Sequence, residues 1–317
     1  MKRPANGVRR AASRGAAGAE SGDRFTRILQ SPALYPGVAE ALGPDFPWHT
    51  HAAGARSSQA LCLSVWVPLA ELTERHAVIE TFLHEALPEL PRSPGDRRWT
   101  VSVEVSRPEL LGEVGGPPSR IDVLLEAGDA VIGLESKYLG DAAGGAGRCS
   151  QYPRACRGFH GPGSDLRTRT GAPCRLAVAE GRRQARRYWS VAERLLQPAA
   201  LAYGREPGSC PLQRSFQLAR TLFFAAEAAR RRETTAGRPP GTVFFAAVAA
   251  VPAATADPIE RQVAELRGKL LAAFNGRLAA VHYELLAQIL SAGGPRTAPI
   301  GRFLAAKLAV LGSPTAG

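Results

Sequence analysis

The sequence predicts an α/β fold built on a mixed sheet, and three observations carry that prediction. Three short runs with strand character follow one another between Arg98 and Lys137, each rich in β-branched or apolar residues. Helical apolar patterns lie on either side of them. A fourth, wholly apolar run at Gly241–Pro252 follows the second helical block, the alternation expected when helices cover a sheet.

Taken in order, the first 23 residues are small, basic and without apolar period, the signature of a disordered tail. Lys2, Arg3, Arg9, Arg10 and Arg14 there could brush nucleic acid without specificity. SSQALCLSVWVPLAELT, capped by Ser57 or Ser58, and ERHAVIETFLHEAL predict two helices. RWTVSVEVS predicts a strand from the alternation of Val101, Val103 and Val105. RIDVLLEA and AVIGLESK predict two more, giving a three-strand meander. From Leu139 to Gly181 runs a Gly-, Pro-, Cys- and Arg-rich stretch with no period; loops of that length are commonly functional or ordered by a metal.

GRRQARRYWSVAERLL and LQRSFQLARTLFFAAEAARRRE follow as helices, the second with a cationic last turn suited to the helix dipole. GTVFFAAVAAVP is a buried strand. Asp257, Pro258 and Glu260 supply a cap, a first-turn proline and a capping-box partner for IERQVAELRGKLLAAF, and RLAAVHYELLAQILS is expected to be helical again. The order is helices, three strands, helices, strand, helix. One enlarged domain over residues 24–317 accounts for it, with a core at 57–251 and a helical extension at 257–311.

The net charge of +12 draws the molecule toward polyanions, DNA and RNA first. No run is long enough to span a membrane, and Arg9–Arg10 lead into AASRGAAGAE rather than a secretory apolar stretch. A cytoplasmic protein with reduced thiols is the expectation. GGPPSR and GGAGR lack the strand-to-helix setting of a phosphate loop, which argues against an ATP-driven motor.

The chemistry concentrates in Arg120–Lys137. Gly128 and Asp129 suit a tight two-residue turn, so Ala127 should face Ala130, Glu126 Val131, Leu124 Gly133, and Asp122 Glu135. Lys137, two residues beyond Glu135, shares its face. Opposed carboxylates with Cβ atoms about 5 Å apart destabilise a sheet unless something positive lies between them, and hard oxygen ligands suit Mg²⁺. An E-x-K spacing by itself is common. The lysine is not, because Lys2, Lys137, Lys269 and Lys307 are the only lysines among 40 basic residues. Lysine is a compact charge whose pKa can move, which arginine is not.

This segment resembles the PD-(D/E)xK nuclease superfamily, the restriction endonuclease-like fold, with Asp122 as the first acid and Glu135-Ser136-Lys137 as E-x-K. The order of elements over Ser57–Val251 is similar to its αβββαβ core. The resemblance implies a Mg²⁺-dependent endonuclease acting on DNA, with Mn²⁺ able to substitute. Asp122, Glu135 and the Ser136 carbonyl would hold metal, and Lys137 would serve the attacking water. It also implies a further polar residue from a helix or strand: Gln59, Glu80 and Glu104 are candidates, as are Gln217 and Arg220, three apart on one helix. The same resemblance is met by a nuclease-like protein that binds nucleic acid or acts as a scaffold without turnover. Paired cuts in a duplex call for a homodimer or for two successive events.

Two other constellations are expected to matter. Arg182, Arg183, Arg186 and Arg187 form i, i+4 pairs that could grip phosphates while Trp189 stacks on a base; the plainer reading is a solvated face with Trp189 in the core. Cys149, Cys156, Cys174 and Cys210, with His160 nearby, could hold zinc or an iron–sulfur cluster, although no C-x-x-C knuckle is present and buried reduced thiols are the simpler reading. His49, His51, His76, His84, His160 and His282 show no ligand spacing and are assigned no catalytic role.

Overall fold

A computed structural model describes residues 22–93, 97–113, 118–138, 186–201 and 210–312. Most of the basic tail, the 139–181 stretch, Arg182 and Arg183 lie outside those residues. Gly22 and Asp23, expected in the tail, already belong to a helical segment at 22–29.

The sheet has five strands in chain order. They are β1 (Thr100–Val105), β2 (Ile121–Ala127), β3 (Ala130–Ser136), β4 (Phe244–Val251) and β5 (Leu278–His282). β1, β2 and β3 pair antiparallel as a meander, while β3, β4 and β5 pair parallel. The sheet is therefore mixed, as the sequence predicts. The β2–β3 turn is pinned from outside: the Arg97 guanidinium, buried, donates to Asp129 at 2.9 Å and to Glu80 at 2.6 Å.

One face is covered by α1 (Ser58–Ala70), α2 (Arg75–Ala86), α6 (Tyr283–Ala292) and α7 (Ala298–Gly312), the other by α3 (Tyr188–Leu195), α4 (Phe216–Thr235) and α5 (Asp257–Arg267). β3 and β4 are buried along almost their whole length. That explains their unbroken apolar runs, since a strand with helices on both faces needs no polar side. Ile132 and Leu134 pack toward α1 and α2, Val131 toward α4. α1 begins where Ser57 accepts the Ala60 N–H at 3.1 Å, a side-chain N-cap.

Four local expectations need correction, the first being the helix expected over 259–274, which ends at Arg267. The 277–291 segment opens as β5 before turning helical at Tyr283, because Leu278 packs toward one face of the sheet and Ala279 and Val281 toward the other. The helix expected from Gly181 begins among the described residues only at Tyr188, so Arg186 and Arg187 precede it and form no helical stripe. Asp257 is the first residue of α5 and makes no side-chain cap; Glu260 instead meets His282 at 2.9 Å.

β1 is also less regular than its valines suggest. Val101 and Val103 pack on the α1 and α2 side, Val105 on the α4 side. Between them Glu104 has φ +49, a left-handed conformation that a non-glycine residue adopts at a cost. It breaks the period-two alternation one residue before the strand ends.

Candidate active site

The β2–β3 register is the one the turn dictates: Ala127 faces Ala130, Glu126 Val131 and Leu124 Gly133, with Val123 opposite Leu134 as the last formal pair. One step further Asp122 lies across from Glu135. There the Asp122 side chain takes over from the ladder, its Oδ2 accepting the Ser136 backbone N–H at 2.8 Å.

Glu135 points toward α4. Lys137 Nζ lies 2.9 Å from its Oε1, Thr221 donates to Oε2 at 3.2 Å, and Arg220 approaches Oε2 at 3.5 Å. α4 comes this close because β3 carries Gly133 beneath it, where an added Cβ would lie 2.6 Å from Thr221 Cγ2. Ser136 faces the opposite way and shares a 2.6 Å hydrogen bond with the Tyr283 hydroxyl. The next turn of chain is tied to α1, with the Tyr138 N–H donating to Ser58 Oγ at 2.9 Å. The E-S-K segment is thus fixed from both faces of the sheet.

The electrostatics separate the two acids. Burial and the adjacent Glu135 carboxylate push Asp122 up to about 8. Burial would raise Glu135 too, but Lys137 and Arg220 outweigh it and hold that carboxyl below its usual range. Lys137 shows the reciprocal effect: burial opposes its charge, while Glu135 and Asp122 raise its pKa and keep it an ammonium. In this setting Lys137 is a fixed positive charge and hydrogen-bond donor, not a base.

A third carboxylate stands nearby. Gln59 on α1 donates from Nε2 to Glu104 at 2.6 Å and to the Pro47 carbonyl at 3.2 Å, while its Oε1 accepts the His49 N–H at 2.7 Å. All of its polar atoms are engaged, which fixes its orientation. His49 Nε2 lies 3.8 Å from Glu104.

Asp122, Glu135, Ser136, Lys137, Gln59, Glu104, Gln217 and Arg220 all line one cleft of ≈ 660 Å³. Glu80 does not; it is bound to Arg97, His84 and the Trp99 indole away from the cleft. The cleft also takes in His49, His51, Arg56, Ser119 and Arg120. His49 and His51 had been assigned no catalytic role, and Arg56, Ser119 and Arg120 had not been named as site residues. The available signals were Arg120 directly preceding the Ile121–Asp122 strand start and the His49-Thr50-His51 triplet shortly before the α1 cap.

The phosphate-gripping helix does not materialise among the described residues. Trp189 is 4% exposed and belongs to the core beneath α4, because the apolar face of α3 turns inward. Arg186 and Arg187 are not part of the cleft lining. Of the proposed thiolate ligands only Cys210 is described, and it is half-buried; Cys62 is a buried thiol. Cys149, Cys156 and Cys174 lie outside the described residues. Among the described residues no three His, Cys, Asp or Glu side chains form a ready metal-binding group, and no helix is long and apolar enough to cross a membrane.

A mixed sheet with an antiparallel meander feeding a helical crossover and a parallel strand, clad by helices on both faces, is the architecture of the restriction endonuclease-like nucleases. The chain belongs to the family described as restriction endonuclease associating with ARP, whose model matches residues 37–307. No curated protein and no solved structure matches it.

Proposed function

We propose that the protein is a Mg²⁺-dependent endonuclease that hydrolyses DNA phosphodiester bonds in this cleft. The observation that carries the reading is the meeting of Asp122, Glu135 and Lys137 at one end of β2 and β3, with Lys137 Nζ 2.9 Å from Glu135. The donors fit a hard divalent cation: two carboxylates suffice for Mg²⁺, which completes its shell with water and phosphate oxygens. Burial and the facing Glu135 carboxylate raise the Asp122 pKa, and a divalent cation between the two acids would offset that repulsion.

Asp122, Glu135 and the Ser136 carbonyl would hold the ion, with Mn²⁺ able to substitute. The cation would supply Lewis-acid stabilisation of the phosphate and acidify water. Lys137 donates hydrogen bonds toward the attacking side and balances the charge that grows on the phosphoryl oxygens. Arg220, Arg56 and Arg120 line the same cleft and suit a phosphate-bearing strand. Thr221 and the Ser136 amide hold the two carboxylates in place. A cytoplasmic setting agrees with the buried free thiol of Cys62.

A second reading is favoured by the tight engagement of Glu135 by Lys137, Thr221 and Arg220: a nuclease-like protein that binds nucleic acid without turnover. Incubating the protein with supercoiled plasmid and with a linear single strand, in Mg²⁺, Mn²⁺ or EDTA, separates the two. Metal-dependent cutting of either substrate is expected. DNA retardation with no cutting under any condition would replace the proposal with the second reading.

A further inference from the structure

α4 runs from the cleft to the far end of the sheet, where it ends in Arg230, Arg231 and Arg232. From Arg220 to Arg231 is about 16 Å at the helical rise of about 1.5 Å per residue. Around that far end lies a second groove, of ≈ 690 Å³ at its larger part, walled by α4, the β2–β3 turn and the short 108–111 helix. A smaller hollow continues it past Arg187 and Arg230, sharing Glu109, Leu110 and Arg231.

The charges here are arranged, not scattered. Glu126, nearly buried, accepts two hydrogen bonds from Arg107 at 3.0 and 2.7 Å and has Arg232 at 3.6 Å. Glu227, also buried, is gripped by Arg194 and, at 3.0 Å, by Arg230. Each buried carboxylate therefore fixes two guanidinium groups and leaves one positive charge in excess. Arg187 and Arg238 add two more, and the Arg231–Glu109 pair is more than half exposed on both sides, where an ion pair contributes little and yields easily.

A helix C-terminus attracts cations by itself, which explains one or two arginines but not clusters built on buried glutamates from β2 and from α4 itself. Guanidinium groups anchored on buried carboxylates, with Arg230, Arg231 and Arg238 exposed beside them, match repeated phosphates better than the isolated carboxylates of an acidic peptide.

We propose that this groove is a second polynucleotide-binding surface, which takes a phosphodiester backbone at a place separate from the catalytic cleft. It goes beyond the proposed hydrolysis and does not require it, since binding here would hold even if the cleft cut nothing. Its role would be to hold a long DNA while the cleft works on another part of it.

The test uses the full-length protein in EDTA, so that cutting plays no part. Anisotropy of a labelled duplex of about 30 base pairs, roughly 100 Å long, is followed through a salt titration for wild type and for Arg230→Ala/Arg231→Ala/Arg238→Ala. These side chains are exposed, so folding should survive, and a circular dichroism melt verifies it. The triple variant is expected to bind at least tenfold more weakly, with the salt slope reduced by about two to three. Arg27→Ala/Arg261→Ala/Arg302→Ala removes the same charge from other exposed positions and is expected to lose clearly less. Equal losses in the two triples, or unchanged binding in the first, would overturn the proposal. So would retained DNA binding with loss of binding to polyglutamate, which would make the groove a dock for an acidic protein.

Discussion

Thr221 packs on Gly133 so closely that a Cβ on the glycine would stand 2.6 Å from the threonine Cγ2 and 3.3 Å from its carbonyl oxygen. The same threonine donates to Glu135, so a bare Cα in β3 sets how near α4 comes to the second acid. Gly133→Ala should cost about 1–3 kcal/mol through overpacking and should also lower cutting, because Thr221 and Arg220 are pushed off Glu135. Denaturant unfolding and plasmid nicking measure the two effects. Lost stability with full nicking would show that the contact of α4 with Glu135 is dispensable.

Glu104 offers a case in which stability and activity should part. Its left-handed backbone costs about 1–3 kcal/mol, and glycine would relieve that strain at a smaller entropic penalty of about 0.5–1 kcal/mol. Glu104→Gly should therefore unfold no more easily than wild type while cutting more slowly, since Gln59 and His49 lose the carboxylate they face. Glu104→Val, β-branched, should lose stability. Thermal melts of the two variants side by side check this, and a marked loss in the glycine variant would refute it.

The Asp122 carboxyl gives the pH dependence a sign. Its folded pKa of about 8 lies above the usual 3.8, so the folded state keeps a proton that the unfolded chain has already released. This contribution to stability is fully present below about pH 4 and is lost as pH rises toward 8. In EDTA, Tm should fall across that window, with a flatter profile in Asp122→Asn. Mg²⁺ should bind more tightly as pH rises over the same range and release a proton on binding, which calorimetry in buffers of different ionisation enthalpy detects. Identical pH profiles for wild type and Asp122→Asn would remove Asp122 from this role.

The hairpin was legible because two rules of local geometry suffice for it. A two-residue turn at Gly128–Asp129 fixes the pairing of Ala127 with Ala130, and period two does the rest. Helices α1, α2 and α4 were legible from their apolar periods, and α1 also from its Ser57 cap. β5 was not, because Leu278–His282 is a short, alanine-rich run that flows into a helical pattern, and only its parallel pairing with β4 makes it a strand.

Within the cleft, Gln59, Glu104, Gln217 and Arg220 could be named but not ranked, because helix-to-strand approach is a tertiary property. The left-handed turn at Glu104 has no sequence signal at all. His49, Arg56 and Arg120 come from irregular segments without any motif. Trp189 was open to two readings, and burial beneath α4 decided for the core.

Lys137 is proposed to serve the chemistry at the Asp122–Glu135 pair and not the grip on DNA. The most direct measurement compares wild type with Lys137→Ala for nicking of supercoiled plasmid in Mg²⁺ and for DNA affinity in EDTA. Nicking should fall by about 10²–10³, as for loss of a group that stabilises developing charge, with affinity changed less than about threefold, as for the loss of one phosphate-attracting charge at most. Undiminished nicking by Lys137→Ala would contradict it.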